Sequence, residues 1–217
     1  MSTRRLLTSL GLALAAISCS DAVVPSSSPE AVDLPLASLG EAASEPMAGS
    51  DVHILRLASG AEPETYALSF WAVKGKAASV RVKYKDSGLA NLNLLQFDVP
   101  KEGLYRRPDG SRLSSGDSVE IRLSIDPSTM KVEFQPSGLR FSDRNPATLK
   151  FWYNRVDPDL NADGTVNAAD DALYPVLAVW HAPDGSSTWT RLVSQVDLTQ
   201  RWVTTNIYHF SGYVVAW

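Results

Sequence analysis

The chain has 217 residues, 44% of them hydrophobic, with 20 Lys and Arg against 24 Asp and Glu, a net charge of −4. Mild acidity without a basic patch argues against nucleic acid as a partner. One cysteine in the whole chain rules out an internal disulfide.

The first stretch, MSTRRLLTSLGLALAAIS, is expected to be an export signal. Arg4 and Arg5 make a basic start, and the apolar run from Leu6 to Ile17 is too short to stay in a bilayer as a spanning helix. The sequence Ala16-Ile17-Ser18-Cys19 resembles the bacterial lipobox, although a Leu at Ala16 would match it better. That resemblance implies cleavage after residue 18 and lipid attachment on Cys19, which would anchor the chain to a membrane. An ordinary secretory signal with an incidental Cys is the alternative. Ser20 stands where the inner-membrane retention signal of some Gram-negative bacteria has Asp, which implies the outer membrane if the host has one. Loss of residues 1–18 leaves 18 basic and 24 acidic residues, a net charge of −6.

Residues 19–50 are dominated by Ser, Ala, Pro and Glu with scattered apolar positions. Such a composition cannot bury enough surface to offset its ordering entropy, so a flexible tether is expected. Residues 51–217 are long enough for one well-cored domain and short for two.

Alternation with period two recurs down this domain, and a sustained helical stripe does not. The first strand candidate is His53 to Ala58, followed by Tyr66 to Val73. In SVRVKYKD, Val80, Val82 and Tyr84 alternate with Arg81, Lys83 and Lys85. Leu92 to Val99 comes next, and in SVEIRLSI the apolar set is Val119, Ile121, Leu123 and Ile125. Lys131 to Gln135, Thr148 to Tyr153, Val176 to Trp180, Thr188 to Val193, Trp202 to Tyr208 and Tyr213 to Trp217 complete the set. Turn signals such as Pro108-Asp109-Gly110 and Pro183-Asp184-Gly185 separate them. About ten short strands with this punctuation predict an all-β, antiparallel β-sandwich. All six Trp fall in predicted strands, where a large ring fills the core or covers a sheet edge. A platform for stacking carbohydrate is the alternative use.

The pieces PSGL, PATLKFWY, STWTRL and the closing HFSGYVVAW resemble the last strands of the β-sandwich shared by ankyrins and netrin receptors, the ZU-five domain. The resemblance covers about 80 residues of the C-terminal part and implies a sandwich fold and an interaction module rather than an enzyme. Fold alone does not carry function across.

Between two strand candidates lies DLNADGTVNAAD. Numbered from Asp159, positions 1, 3 and 5 are Asp159, Asn161 and Asp163, position 6 is Gly164, position 7 is Thr165, position 9 is Asn167 and position 12 is Asp170. Ca²⁺ takes six to eight hard oxygens, and the EF-hand spacing supplies them from these places, with Gly at 6 for the sharp turn and a backbone carbonyl at 7. Val166 at position 8 is expected to pack inward. Two departures stand out: position 12 is Asp where Glu is usual, and a strand rather than a helix precedes the loop. Both features resemble dockerins, which have Asp at the last position and keep the exiting helix. Asn167 is placed to cap a short helix from Ala168 to Tyr174 that Pro175 stops.

The sequence thus points to an exported, lipid-anchored, Ca²⁺-binding module of the bacterial cell envelope with a binding or structural role and no catalysis. A dockerin-like adaptor docking to a cohesin-type partner is an alternative, although dockerins carry two such segments and RPDGSRLSSGDS lacks the acidic spacing of a second copy. An envelope enzyme is another. His53, His181 and His209 accompany plentiful Ser and Asp, but no nucleophile elbow, zinc helix or phosphate loop is present, and His209 in YHFSGY reads as a packed structural residue. Asp157 and Asp171 flank the loop and add negative potential beside it. An outer-membrane barrel is disfavoured, because most of the strands fall short of the roughly 9 to 11 residues that spanning requires.

Overall fold

The computed structural model describes residues 45–85 and 92–217. The expected export signal, the lipidation candidate Cys19 and the tether as far as residue 44 lie outside the described residues.

Alternating side chains produce the expected strands. In β6 (Ser118–Ile125), Val119, Ile121, Leu123 and Ile125 are buried while their neighbours face out. The other strands, in chain order, are β1 (Met47–Ala48), β2 (Ala67–Val73), β3 (Ala78–Lys83), β4 (Asn93–Val99), β5 (Leu104–Arg106), β7 (Lys131–Gln135), β8 (Arg140–Phe141), β9 (Ala147–Trp152), β10 (Ala178–Ala182), β11 (Thr188–Arg191), β12 (Ser194–Asp197), β13 (Trp202–Ile207) and β14 (Gly212–Ala216). The one α-helix among the described residues is α1 (Ala168–Asp171).

The strands form two antiparallel sheets. The larger runs β1-β11-β10-β14-β7-β6-β2, the smaller β12-β13-β9-β4-β3, and β5 pairs with β8 as a separate ribbon. Inward residues of both sheets meet in one core, so the fold is the expected sandwich. At its centre Phe97 of β4 is fully buried. Its ring lies 4.8 Å from Phe134 of β7, 5.7 Å from Phe210 and 6.1 Å from Phe141 of β8, so aromatic contacts tie both sheets and the ribbon together.

A second apolar cluster lies on the opposite face of the larger sheet. There Trp180, Trp189, Val214 and Ala216 pack under Val52 and Ile54. This is why every residue of β14 is buried: its inward side chains join the main core and its outward ones lie under the N-terminal segment. The segment is pinned at both ends. Met47 and Ala48 pair with Trp189 and Thr188 of β11, and Ile54 bridges Ala216.

Several expectations change here. The last residues of the expected tether are part of the domain, because β1 and the 3-10 turn Gly49–Asp51 belong to this strap. His53 to Ala58 makes isolated bridges to β14, Thr129 and Val156 instead of a continuous strand. The segment predicted at Thr188 to Val193 ends at Arg191, and β12 follows as a separate strand. Of the tryptophans, Trp180 and Trp189 are buried, whereas Trp71 on the edge strand β2 is 64% exposed.

Candidate metal centre

The connection from β9 to β10 carries the loop 159–170 and is fastened to the domain before the loop begins. Leu57 bridges Val156, Asp157 donates its N–H to the Arg56 carbonyl at 2.9 Å, and its carboxylate pairs with the Arg56 guanidinium at 3.3 Å. Leu160, at position 2, is buried in the main core. At the far end Leu173 and Tyr174 pack on the same core, and the Tyr174 ring stacks on Tyr153 at 5.6 Å. Apolar anchors therefore hold both ends of a polar loop.

Within the loop the side-chain oxygens shape the backbone. Asp159 Oδ1 accepts the N–H of Asp163 at 3.1 Å and its Oδ2 that of Gly164 at 2.9 Å. The same Asp163 N–H reaches Asn161 Oδ1 at 3.0 Å, which brings the oxygens of positions 1 and 3 to one donor. Asp163 Oδ1 accepts the Thr165 N–H at 2.8 Å. Gly164 has a φ of +86°, the left-handed conformation that the turn needs and that glycine adopts without strain.

Asp170, at position 12, takes a different part. Its side chain is buried, with Oδ1 accepting the N–H groups of Leu160 at 2.8 Å and Asn161 at 3.2 Å and Oδ2 that of Asn167 at 2.8 Å. Those donors, Asn167 foremost, hold its carboxyl below the usual aspartate range against the opposing effect of burial. Asn167 in turn caps α1, its side chain accepting the Ala169 N–H at 2.7 Å, so residues 167 and 170 form a capping box. The cap is the expected one, but the helix is a single turn. Pro175 lies inside a following 3-10 turn, Tyr174–Val176, instead of stopping a longer helix.

The donor set suits Ca²⁺ in kind: carboxylates from Asp159, Asp163 and Asp170, amide oxygens from Asn161 and Asn167, and the Thr165 carbonyl are all hard oxygens. Asp159, Asn161 and Asp163 are drawn together by shared backbone donors, whereas the Asp170 carboxylate is turned onto three N–H groups. Among the described residues no three His, Cys, Asp or Glu side chains are gathered at one point. Most oxygens of the loop accept one hydrogen bond and keep a second lone pair, so the set could hold an ion together with water.

One expectation at the loop is overturned. Val166 is 62% exposed instead of packed inward. In a lone loop the central residue has no second loop to pair with, and Leu160 does the anchoring. Leu160, a large apolar residue between the ligand positions Asp159 and Asn161, is the signal in the sequence that marks this anchor. Asp157 likewise does more than add charge, because its Oδ1 accepts the Asp159 N–H at 3.2 Å and sets the loop entry.

The histidines sit among aromatic rings. His53 stacks on Trp217 at 5.1 Å, and His181 lies 5.3 Å from His209 and 6.1 Å from Tyr213. Family models, curated proteins and solved structures were all compared with the chain, and none matches.

Proposed function

We propose that this chain is a non-catalytic module of a bacterial cell envelope, exported by residues 1–18, held to the membrane by lipid on Cys19, and stiffened by Ca²⁺ in the 159–170 loop. The observation that carries the metal reading is the single Asp163 N–H shared by Asp159 Oδ1 and Asn161 Oδ1, which gathers the first two ligand positions ahead of the Gly164 turn. Asp159, Asn161, Asp163, the Thr165 carbonyl, Asn167 and Asp170 would supply the oxygens.

The ion's part is structural. The connection from β9 to β10 contains one turn of α-helix and one of 3-10 helix and no strand, so a cation that neutralises its carboxylates replaces the regular pairing it lacks. Sites of this kind outside cells have dissociation constants of roughly 10⁻⁴ to 10⁻³ M. At about 1 mM Ca²⁺, one to ten times such constants, binding adds about 0.4–1.4 kcal/mol to stability.

Two measurements test the reading separately. Calorimetric titration of the protein with Ca²⁺ and then Mg²⁺ should give saturable heat with Ca²⁺ that Asp159→Ala abolishes. A clickable fatty acid fed to expressing bacteria should label the native chain and spare Cys19→Ser. Absence of either signal removes that half of the proposal.

A further inference from the structure

The strand β2 is the outermost member of the larger sheet and carries none of the devices that guard an exposed edge. Edge strands are ordinarily protected by charge, proline, a bulge or shortness. The other edges here follow that rule. β3 carries Arg81 and Lys83 and breaks register between Val82 and Lys83, β12 has four residues and ends in Asp197, and β1 has two residues. β2 reads Ala-Leu-Ser-Phe-Trp-Ala-Val, pairs with β6 in unbroken register over seven residues, and exposes Trp71.

The phase of its backbone follows from both ends of the β2–β6 ladder. Ile125 donates its N–H to the Tyr66 carbonyl and Lys74 donates to the Asp117 carbonyl, each at 2.8 Å. Hydrogen-bonded and non-hydrogen-bonded pairs alternate in an antiparallel ladder. Leu68, Phe70 and Ala72 therefore bond toward β6, while Ser69 and Trp71 turn their N–H and C=O groups to the open side. The outward groups of Ala67 are met locally by the Thr65 hydroxyl, at 2.7 and 3.4 Å, and the Val73 carbonyl by the Lys76 N–H at 3.0 Å. The four groups of Ser69 and Trp71 meet no strand on that side among the described residues.

We propose that β2 pairs with β2 of a second copy of this chain, antiparallel about a two-fold axis at Phe70. In that register each Ser69 faces Trp71 of the other copy, and both residues have their hydrogen-bonding groups on the facing side, so the four outward groups of each copy find partners. The outer-face side chains match as well. Beside Ser69 lies an open hollow of about 620 Å³ lined by Ala67, Ser69, Arg122, Ser124, Glu133 and Gln135. The incoming indole lies over the small Ser69 side chain and into this hollow.

The charged neighbours of β2 fit the same partner. Trp71 is paired with Glu120 and Ser69 with Arg122. Arg122 is bound to Glu120 of its own chain at 2.6 Å, so a row across the two copies, Glu120 and Trp71 of one and Ser69 and Arg122 of the other, sets this ion pair beside the incoming indole and brings no unpaired charge to the contact. The two-fold axis repeats the row in reverse, so the contact is self-complementary and closes at two copies. Two short strand edges plus two Trp side chains of about 150–250 Å² each stay below the roughly 1,200 Å² lower bound of standard interfaces, so the dimer is a dissociating one.

Sedimentation velocity of the full chain carrying Cys19→Ser, over a range of concentrations, tests the pairing, with Trp71→Lys and Ser69→Pro as variants. Ser69→Pro removes an N–H that points away from β6 and leaves the internal ladder whole. The parent should shift from one to two copies with rising concentration, and each variant should move that shift upward about tenfold or more with unchanged circular dichroism. A parent that stays monomeric throughout, or an association that both variants retain, overturns the proposal. Should Ser69→Pro fail to fold, Trp71→Lys decides alone, since its side chain is solvent-exposed in the monomer.

Discussion

Asp170 accepts the backbone N–H of Leu160 at 2.8 Å across ten residues, so the last position of the loop fastens its beginning. The same carboxylate receives Asn161 and Asn167, and the polar turn closes on one side chain. Asp170→Ala leaves three donors without that acceptor. Hydrogen exchange should quicken at Leu160, Asn161 and Asn167, with a lower melting temperature, while amides of β6 keep their protection. Unchanged exchange at those three amides would show that the loop holds its shape without Asp170.

Phe97 is the residue on which both sheets converge, and its removal should cost the most of any core change. Phe97→Ala deletes a fully buried ring and leaves a cavity among Phe134, Phe141 and Phe210. The expected loss is about 3–5 kcal/mol, or about 10 °C in melting temperature for a domain of this size. Urea unfolding of the two forms measures it.

The strap that covers the outer face depends on Gly49. A Cβ at this position would stand 2.8 Å from the Ser187 carbonyl and 3.4 Å from Trp189 Nε1. Gly49→Val should lift the strap from Trp180 and Trp189 at a cost of about 1–3 kcal/mol. Tryptophan emission should shift to the red as those rings meet water.

Acid should destabilise the fold through turn carboxylates as well as the loop. Burial works to raise Asp126, but the N–H and hydroxyl of Ser128 and the donors of Thr129 outweigh it and hold the carboxyl below its ordinary range. Asp109 is lowered mainly by the Ser111 hydroxyl. As pH falls, the unfolded chain takes up these protons first, so their contribution is full above the ordinary aspartate range of about 4 and is lost as pH drops through the lower folded values. Urea midpoints between about pH 5 and 2 should fall, and Asp126→Asn should flatten the slope.

Much of the fold was legible because alternation is a local signal. The eight residues of β6 and the five of β7 lie where their apolar phase put them. The missed strands lack that signal: Ser-Gln-Val-Asp in β12 has one apolar residue, and β5, β8 and β1 have three or fewer residues each. The start of the strap is expected as tether because residues 47–50 show no apolar phase and are placed only by the pairing of Met47 and Ala48 with the distant strand β11. The exposure of Trp71 is not legible in the sequence because Phe70, Trp71, Ala72 and Val73 are consecutively apolar and do not reveal which phase faces inward. At the candidate site the ligand spacing and the Asn167 cap were legible, being local. The turning of Asp170 onto the Leu160 and Asn161 backbone was not, since it depends on how Leu160 is seated in the core.

The proposed Ca²⁺ staple in the loop is tested most directly by a thermal melt. The chain is melted with about 1 mM Ca²⁺ and again with a chelator, and both melts are repeated on Asp163→Ala. At one to ten times the dissociation constant, Ca²⁺ should raise the native midpoint by about 1–6 °C, from about 0.4–1.4 kcal/mol of binding, and leave the variant unmoved. Native melts that coincide with and without Ca²⁺ would contradict the staple and leave the loop an acidic turn held by its own backbone.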